Sequence, residues 1–238
     1  MKDYINAILR MLRVELRRFP SYDHSRRMKL MTGYRIDHVL DVGANKGQYS
    51  RQLREIGYKG RIDSFEPLKQ AFKELSKNVS SDASWKAHNY GLGNSDETLL
   101  INVSGNSESC SFMNMFPKHL EAAPESEFIE KQKVVVKKLD SIIGELCSEN
   151  DVILLKLDVQ GYEMEVFKGA LKSLNAISMI QIELSLQPMY ENETPYLEMI
   201  EYLNNLGFTL VSLEPGFSNP KTGELHQFDG FFVRSKKI

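Results

Sequence analysis

From Val39 onward, the sequence alternates short apolar segments of strand length with segments of helical periodicity, and this alternation restricts the fold more than any other feature. The predicted strands of this part are HVLDV, RIDSFEP, SWKAHNYGL, VILLKLDV and SMIQIEL. Strands that alternate with helices form a parallel sheet, and the crossover helices cover both of its faces. FTLVSLEP and FDGFFVRS follow, and the turn-rich GFSNPKTGELH between them is too short for a crossover helix, so this pair should be antiparallel. The sequence therefore predicts an α/β, Rossmann-like fold with a seven-stranded, mostly parallel sheet and an antiparallel terminal hairpin.

Two segments lie outside this pattern. Residues 1–33 are predicted as an N-terminal helical extension, because apolar residues recur at spacings of three and four as far as Phe19 and a second short helix follows over residues 25–31. Residues 97–143 are an insertion between the third and fourth strands, since they exceed the length of an ordinary connection. Within the insertion, TLLINVS and KVVVKKL should form extra strands that flank a loop over the site. The rest, residues 34–238, is expected to form one domain.

Charge is distributed unevenly along the chain. Residues 1–35 carry nine Lys and Arg against three Asp and Glu, a net charge of +6, whereas the remainder carries −8. The acidic remainder makes nucleic acid an unfavourable partner. The basic segment fits a solvated helix face; contact with nucleic acid, peripheral contact with an anionic membrane surface and contact with a phosphorylated substrate stay open. Its apolar stripe fits packing on its own domain or on a second copy in a homodimer.

The sequence gives no sign of a membrane segment, a disulfide framework or a structural zinc site. The sequence has no apolar run of 18 residues, and arginines interrupt the apolar positions near its N-terminus. We therefore expect neither a transmembrane segment nor a signal peptide, and a cytoplasmic location. Cys110 and Cys147 form no C-x-x-C pair and lie in no His/Cys cluster, so neither a disulfide framework nor a structural zinc site is predicted.

The segment VLDVGANKGQYS places a glycine-rich loop between the first strand and a helix. In an open parallel sheet the ligand lies beyond the carboxyl ends of the strands, where this loop is found. Glu66 follows Gly43 by 23 positions, the distance at which an acidic side chain can accept hydrogen bonds from both hydroxyls of an adenosine ribose. A loop that turns at Gly43 and starts a helix near Gly47 would hold the rest of the nucleoside. This arrangement fits a nicotinamide dinucleotide or S-adenosylmethionine.

Asn45 distinguishes between these two ligands. A dinucleotide places its pyrophosphate against bare backbone at the helix N-terminus, which is why the second glycine of G-x-G-x-x-G is glycine. S-adenosylmethionine has no phosphate, so the loop can keep a side chain at this position. Its sulfonium and ammonium would be favoured by nearby carboxylates, and Asp41 and Asp158 are the candidates. The sequence thus predicts S-adenosylmethionine as the cofactor, and an NAD-dependent oxidoreductase is the less favoured alternative.

Several blocks of the sequence resemble, in the same order, those of the FkbM-type methyltransferases. They are VLDVGANKGQYS, SFEP, NYGLGN, KKLDSI, LLKLDVQGYEMEVFKGA, IELS with MYENE, and FDGFFVR, and together they cover roughly residues 36–235. The resemblance implies a class I methyltransferase fold and an O-methyltransferase that acts on hydroxyls of sugars in glycans or glycolipids, or of polyketide-type natural products. The cofactor contacts it implies are Asp41, Gly43, Asn45 and Glu66, with Asn89 and Asp158 behind them. Gln160 departs from the pattern, because many relatives have glutamate there.

Methyl transfer to a hydroxyl needs a group that receives the proton of the acceptor. Asp158 is the first candidate base, although it could bind the methionine ammonium instead. Glu183, after the fifth strand, and His226, in the last loop, are the other candidates. A divalent metal held by Asp158 and Glu183 stays open, but nothing in the spacing requires one. Lys156 lies within an apolar strand and should be paired with a carboxylate.

The serine-rich loop GNSESCSFMNMF is the predicted acceptor-binding segment. Ser109 and Ser111 suit sugar hydroxyls, Phe112 could stack against a pyranose ring, and Tyr162 could contribute in the same way. The expected partner is therefore a small-molecule or glycan acceptor. The alternative is a nucleic-acid or protein methyltransferase that uses the basic N-terminal helix. Against it, the fourth strand is followed by DVQG rather than by an N/D-P-P-Y/F motif.

Overall fold

The computed structural model describes residue 9 and residues 19–235 of the chain. The predicted first helix lies almost entirely outside these residues. The predicted second helix is present and begins earlier than expected, at Tyr22. Ser21 caps it, because its side chain accepts a hydrogen bond from the backbone N–H of His24 at 3.2 Å.

Strands and helices alternate along the chain as the sequence predicts. In chain order the elements are α1 (Tyr22–Gly33), β1 (His38–Val42), α2 (Gln48–Glu55), β2 (Arg61–Phe65), α3 (Lys69–Val79), β3 (Trp85–His88), β4 (Gly91–Leu92), β5 (Glu97–Ser104), α4 (Pro117–Ala122), β6 (Phe128–Lys137), α5 (Leu139–Leu146), β7 (Ile153–Leu157), α6 (Glu163–Lys168), β8 (Ile177–Ser185), α7 (Tyr196–Asn205), β9 (Phe208–Pro215) and β10 (Gln227–Arg234). Short 3-10 turns cover Pro124–Ser126 and Ser173–Ala176.

The central sheet has seven strands in the order β3-β2-β1-β7-β8-β10-β9. Strands β1, β2, β3, β7 and β8 pair in parallel, and β10 is antiparallel to both of its neighbours, β8 and β9. The seven-stranded, mostly parallel sheet with an antiparallel terminal hairpin is therefore confirmed. Strand β1 lies next to β7 in the middle, so the loops that follow these two strands are neighbours at one edge of the sheet.

Apolar layers cover both faces of the sheet, which explains the unbroken apolar character of β1 and β7. Leu40 packs with residues of α5, α6 and α7 on one face, while Val39 packs with residues of α1, α2 and α3 on the other. Adjacent residues of a strand point to opposite faces, so a strand covered on both sides must be apolar along its length. Lys156 in β7 and Asp41 in β1 are buried exceptions to this rule.

Strands β5 and β6 of the insertion form a small second sheet with β4, which precedes the insertion, in the order β4-β6-β5. Strands β5 and β6 are antiparallel, and the loop between them contains α4. The extra strands predicted on either side of a loop are thus present. The predicted strand SWKAHNYGL is divided: residues 85–88 join the main sheet and residues 91–92 join the small one. Across the described residues, every helix is too short or too polar to cross a membrane.

Candidate functional site

A cavity of about 520 Å³ lies at the carboxyl ends of the parallel strands, within the range of 300–1,000 Å³ typical of small-molecule sites. Its walls come from the loops after β1, β2 and β7, from strand β8 itself, from the β5–β6 loop of the insertion and from the β9–β10 loop. This is the edge at which ligands bind in open α/β sheets.

The loop after β1 depends on two glycines with positive φ, Gly43 at +77° and Gly47 at +84°. At Gly43 a Cβ would overlap the backbone carbonyl of Asp158, so only glycine allows the loops after β1 and β7 to approach this closely. At Gly47 a Cβ would lie 2.8 Å from side-chain atoms of Leu75 and Trp85. Gly43 lines the cavity, whereas Gly47 is a packing residue at the start of α2.

Glu66 is held rigidly beside this loop. It is only 5% exposed, its Oε2 accepts a hydrogen bond from the backbone N–H of Asn45 at 2.8 Å, and its Oε1 accepts one from that of Leu68 at 2.8 Å. Burial raises the pKa of Glu66 to about 7, although the two backbone hydrogen bonds act in the opposite direction. Each carboxylate oxygen has a second lone pair, so Glu66 can still accept two hydrogen bonds from a ligand.

The wall next to Glu66 is apolar. It is lined by Leu68, Leu92, Ile101 and Phe112. The Phe112 ring also packs against that of Tyr162, with 4.7 Å between the ring centroids. A flat, weakly polar ring system such as adenine fits this wall, next to a carboxylate suited to ribose hydroxyls. Phe112 thus lies in the same wall as Leu68 and Ile101, and Tyr162 packs against it without lining the cavity.

Asn45 connects the glycine loop to the insertion. Its φ is +47°, a conformation that asparagine adopts more readily than most residues. Its side-chain Nδ2 donates a hydrogen bond to the backbone carbonyl of Ser107 at 3.1 Å. The Asn45 side chain, which a dinucleotide-binding loop would lack, therefore connects the glycine loop to the β5–β6 loop.

Lys156 is buried and paired, as its position in an apolar strand predicts. Its Nζ lies 3.1 Å from Asp41 Oδ1 and 3.4 Å from Asp158 Oδ2. Burial by itself lowers the pKa of Lys156, but these two carboxylates outweigh it and raise the pKa. Asp41 is fully buried, accepts a hydrogen bond from Ser50 Oγ at 2.7 Å and does not line the cavity. The expected contact of Asp41 with the cofactor is therefore corrected: Asp41 lies one layer behind the wall and holds Lys156.

Two carboxylates face the cavity at the ends of β7 and β8. The side-chain amide of Gln160 donates to Asp158 Oδ1 at 2.7 Å and to Glu183 Oε2 at 2.8 Å. Gln227 donates a further hydrogen bond to Glu183 Oε2 at 2.8 Å. Burial, followed by repulsion from Asp158 and Asp229, raises the pKa of Glu183 well above its ordinary value. The two carboxylates are thus linked by an amide that carries no charge.

Three further predicted residues lie outside the cavity lining. Asn89 is exposed, and its side-chain amide donates to the carbonyl of Glu66 at 3.0 Å, which supports the loop after β2. Ser111 is buried and donates to the carbonyl of Gln160 at 2.6 Å. His226 is buried behind Phe217, with 5.6 Å between the ring centroids. Of the serines predicted for acceptor binding, Ser109 does line the cavity.

Sequence reasoning missed several lining residues. Arg27 of α1, Tyr49 of α2 and Gln181 of β8 line the cavity, as do His119 and Phe217. Arg27 pairs with Glu214 of β9 and lies over the ring of Tyr49, 5.2 Å from its centroid. Tyr49 lies in the glycine-rich segment VLDVGANKGQYS but at a position with no expected ligand role. The other four belong to no recognisable motif, and they reach the cavity because segments distant in sequence pack together.

The sequence leaves open whether the protein binds a divalent metal, so the arrangement of possible ligands matters. Among the residues that the model describes, one group has the spacing of metal ligands: His38, Cys147 and Asp151. His38 is the first residue of β1, so this group lies at the end of the sheet away from the cavity. The guanidinium of Arg61 already lies 3.2 Å from His38 Nδ1.

Comparison with known proteins identifies relatives of the chain. Residues 41–210 match the model of the methyltransferase FkbM domain. The 2-O-methyltransferase NoeI of Sinorhizobium fredii is 24% identical over 183 residues, which cover 74% of each protein. Methyltransferase 1 of Beauveria bassiana is 28% identical over 142 residues, which cover 55% of this chain and only 57% of that relative. An rRNA methylase of Streptococcus thermophilus, 12% identical, superposes with a TM-score of 0.48 over 94% of this chain and all of the other (100%).

Proposed function

Because the chain belongs to the FkbM methyltransferase family, we propose that it is an S-adenosylmethionine-dependent O-methyltransferase whose acceptor is a hydroxyl of a sugar or natural product. The name of the relative NoeI, a 2-O-methyltransferase, supports oxygen as the atom that receives the methyl group. The single observation that carries the proposal is the buried, doubly anchored carboxylate of Glu66 beside an apolar wall.

The residues at the Glu66 end fit the nucleoside part of the cofactor. Glu66 would accept hydrogen bonds from the two ribose hydroxyls, and Leu68, Leu92 and Phe112 would contact the adenine. Asp158, with its carboxylate at the cavity wall, would receive the methionine ammonium. When bound, S-adenosylmethionine supplies an electrophilic methyl group on a positively charged sulfur.

Glu183 is the residue that we assign to take the proton from the acceptor hydroxyl. It lines the cavity at the end of β8, next to the loop that carries Asp158. Its raised pKa means that it accepts a proton more readily than an ordinary carboxylate at neutral pH, which suits a general base. Gln160 and Gln227 hold one of its oxygens in place, so the other oxygen is left for the acceptor.

Calorimetric titration with S-adenosylhomocysteine, the demethylated product, tests the proposal. Glu66→Ala should weaken binding at least tenfold, since two hydrogen bonds to the ribose hydroxyls are lost and each tenfold corresponds to about 1.4 kcal/mol. Glu74→Ala, at a half-exposed position of α3, is the matched control and should bind like the unmodified protein. The proposed function would be contradicted if Glu66→Ala bound S-adenosylhomocysteine as tightly as the unmodified protein does. It would also be contradicted if the protein bound NADH in place of S-adenosylhomocysteine.

A further inference from the structure

Three side chains of metal-binding type meet at the end of the sheet away from the cavity. His38 is the first residue of β1, Cys147 directly follows α5, and Asp151 precedes β7 by two positions. His38 lies 109 positions before Cys147, so the three residues come together only in the folded chain. This separation explains why the spacing of the sequence predicts no zinc site.

The distances within this group match those of a tetrahedral zinc site. His38 Nδ1 lies 3.4 Å from Cys147 Sγ and 3.5 Å from Asp151 Oδ2, and all three ligand atoms lie within 4.8 Å of one another. Zinc binds nitrogen and oxygen at about 2.0–2.2 Å and thiolate sulfur at about 2.3 Å, so its tetrahedral ligand atoms lie about 3.3–3.6 Å apart. One ion can therefore contact all three atoms after small side-chain adjustments.

His38 has the orientation and the tautomer of a metal ligand. Its Nε2 lies 2.7 Å from Asp63 Oδ2, and the other oxygen of Asp63 is fixed by His88 at 2.6 Å. The guanidinium of Arg61, which can only donate, lies 3.2 Å from His38 Nδ1, so Nδ1 is the acceptor and Nε2 carries the hydrogen. Metal-binding histidines almost always donate their second ring N–H to a carboxylate, a backbone carbonyl or water. Nδ1 of His38 thus offers its lone pair to an ion.

Asp151 is also held in place, and a positive charge already lies beside it. The backbone N–H and the hydroxyl of Ser148 donate to the two oxygens of Asp151, each at 2.8 Å. The guanidinium of Arg61 pairs with the same carboxylate while it contacts His38. The Arg61 side chain is 50% exposed, so it can move into solvent when another cation takes its place.

We propose that His38, Cys147 and Asp151 bind a zinc ion, which displaces the guanidinium of Arg61. Imidazole, thiolate and carboxylate together suit zinc, whereas calcium and magnesium prefer oxygen ligands. The Cys147 thiol gives its proton to solvent when its sulfur binds the ion, and the thiolate and the carboxylate then balance the two positive charges of zinc. The described residues supply three ligands, and water takes the fourth position. The ion would join the end of α5 and the segment before β7 to the start of β1, and so stabilise the middle of the sheet.

Cobalt(II) tests the site, because it occupies zinc sites and its bond to a thiolate gives an intense charge-transfer absorption in the near ultraviolet. The full chain is first treated with a chelator and then titrated with cobalt or with zinc. We expect an equimolar amount of cobalt to produce this absorption and an equimolar amount of zinc to abolish it. Zinc should raise the thermal midpoint, because it binds the folded state. Calorimetry in buffers of different ionisation enthalpy should show that about one proton is released per ion.

The two cysteines of the chain provide a matched pair of variants. Cys147→Ser should abolish the charge-transfer absorption, whereas Cys110→Ser should keep it, because Cys110 lies at the cavity. Arg61→Ala should strengthen zinc binding several-fold, since it removes the competing cation. Circular dichroism shows whether each variant is folded, and affinity for S-adenosylhomocysteine should be unchanged because the two sites lie at opposite ends of the sheet.

Two further variants separate the ligands from the residue that positions them. Asp63→Asn acts on the ion only through His38 and should weaken zinc binding about 10–100-fold, the usual effect of losing an outer carboxylate. Asp151→Asn removes a ligand and should weaken zinc binding more than Asp63→Asn does. This pair and Arg61→Ala test the same site if Cys147→Ser fails to fold.

Three outcomes would overturn the proposal. The first is the absence of the absorption in the unmodified protein, and the second is an absorption that survives in folded Cys147→Ser or is lost in Cys110→Ser. The third is zinc binding that changes in none of Cys147→Ser, Asp151→Asn and Arg61→Ala, which would indicate an adventitious ion only. None of these outcomes affects the proposed methyltransferase function, which is tested by the binding of S-adenosylhomocysteine.

Discussion

Tyr190 donates a hydrogen bond from its hydroxyl to Gln160 Oε1 at 2.7 Å, and this bond fixes the direction of the Gln160 amide. Because Oε1 is occupied, Nε2 faces Asp158 and Glu183 and donates to both. Gln160 has a φ of +55°, and the adjacent Gly161 lies against the Tyr190 ring, so the turn is packed into this arrangement. A neutral donor thus separates two carboxylates that would otherwise repel each other.

Gln160→Glu should make the site work at higher pH. The change places a third carboxylate between Asp158 and Glu183, and carboxylates that share a site hold a proton more tightly, with a pKa rise of roughly one unit or more. The acidic limb of the pH profile of kcat/KM should move upward accordingly. Gln187→Glu, at an exposed position after β8, is the control. A profile identical to that of the unmodified protein would mean that Gln160 does not set the charge of this pair.

Glu183 and Asp158 should respond differently to removal of their charges. Glu183→Gln should lower kcat by about 10²–10⁴, the usual contribution of a general base, with unchanged affinity for S-adenosylhomocysteine. Asp158→Asn should weaken that affinity, because it removes the partner of the methionine ammonium. Steady-state kinetics and calorimetry on both variants measure this difference. The reverse result, with Glu183→Gln impaired only in binding, would exchange the two roles.

The protein without ligand should become less stable as the pH rises from about 5 to about 8. Burial raises the pKa of Glu66 to about 7 and of Glu163 to about 8, whereas both groups titrate near their ordinary values in the unfolded chain. The folded state therefore binds more protons than the unfolded state between about pH 4.5 and pH 8, so the free energy of unfolding falls as the pH increases. Thermal unfolding followed from pH 5 to pH 9 measures this.

Glu163→Gln is the control for the pH effect. It keeps a side-chain oxygen for the backbone N–H groups of Val159 and Gly161, which donate to Glu163 at 3.1 and 3.3 Å, but it cannot lose a proton. The fall in midpoint temperature between pH 5 and pH 8 should be smaller in this variant. A midpoint that rises with pH in the unmodified protein would contradict the protonated state of these carboxylates.

Lys156→Met should lower the stability of the folded protein. The ion pair with Asp41 is buried, and removal of one partner leaves an uncompensated charge, at a cost of about 3–5 kcal/mol. The double variant Lys156→Met with Asp41→Asn should recover much of this loss, since no isolated charge remains. Urea unfolding of the two variants and of the unmodified protein gives the comparison. If the double variant is no more stable than Lys156→Met alone, the pair does not act as a unit.

Periodicity predicts the sheet, and the spacing from Gly43 predicts that Glu66 lies beside the glycine loop. Both predictions depend only on short segments of sequence. Asp41 was assigned to the cofactor because it ends a central strand, but β1 is buried on both faces, and sequence alone does not tell which face a side chain joins. His119 and Phe217 lie 98 positions apart and meet only because two long loops fold over the same cavity. Phe112 lies in a loop over the cavity, but its place beside Leu68 and Ile101 follows from the packing of that loop, which the sequence does not show.

Asn45→Gly should loosen the insertion loop without straining the backbone. Glycine adopts the φ of +47° freely, so the variant removes only the side chain and with it the hydrogen bond to the carbonyl of Ser107. Hydrogen–deuterium exchange over residues 105–111 should become faster, and S-adenosylhomocysteine should dissociate several-fold faster, because this loop covers the cavity above the glycine loop. Lys46→Gly, at an exposed neighbouring position, should change neither rate. If exchange over residues 105–111 is unchanged in Asn45→Gly, the hydrogen bond from Asn45 to Ser107 does not stabilise the insertion loop. Asn45 would then act only on the conformation of the glycine loop.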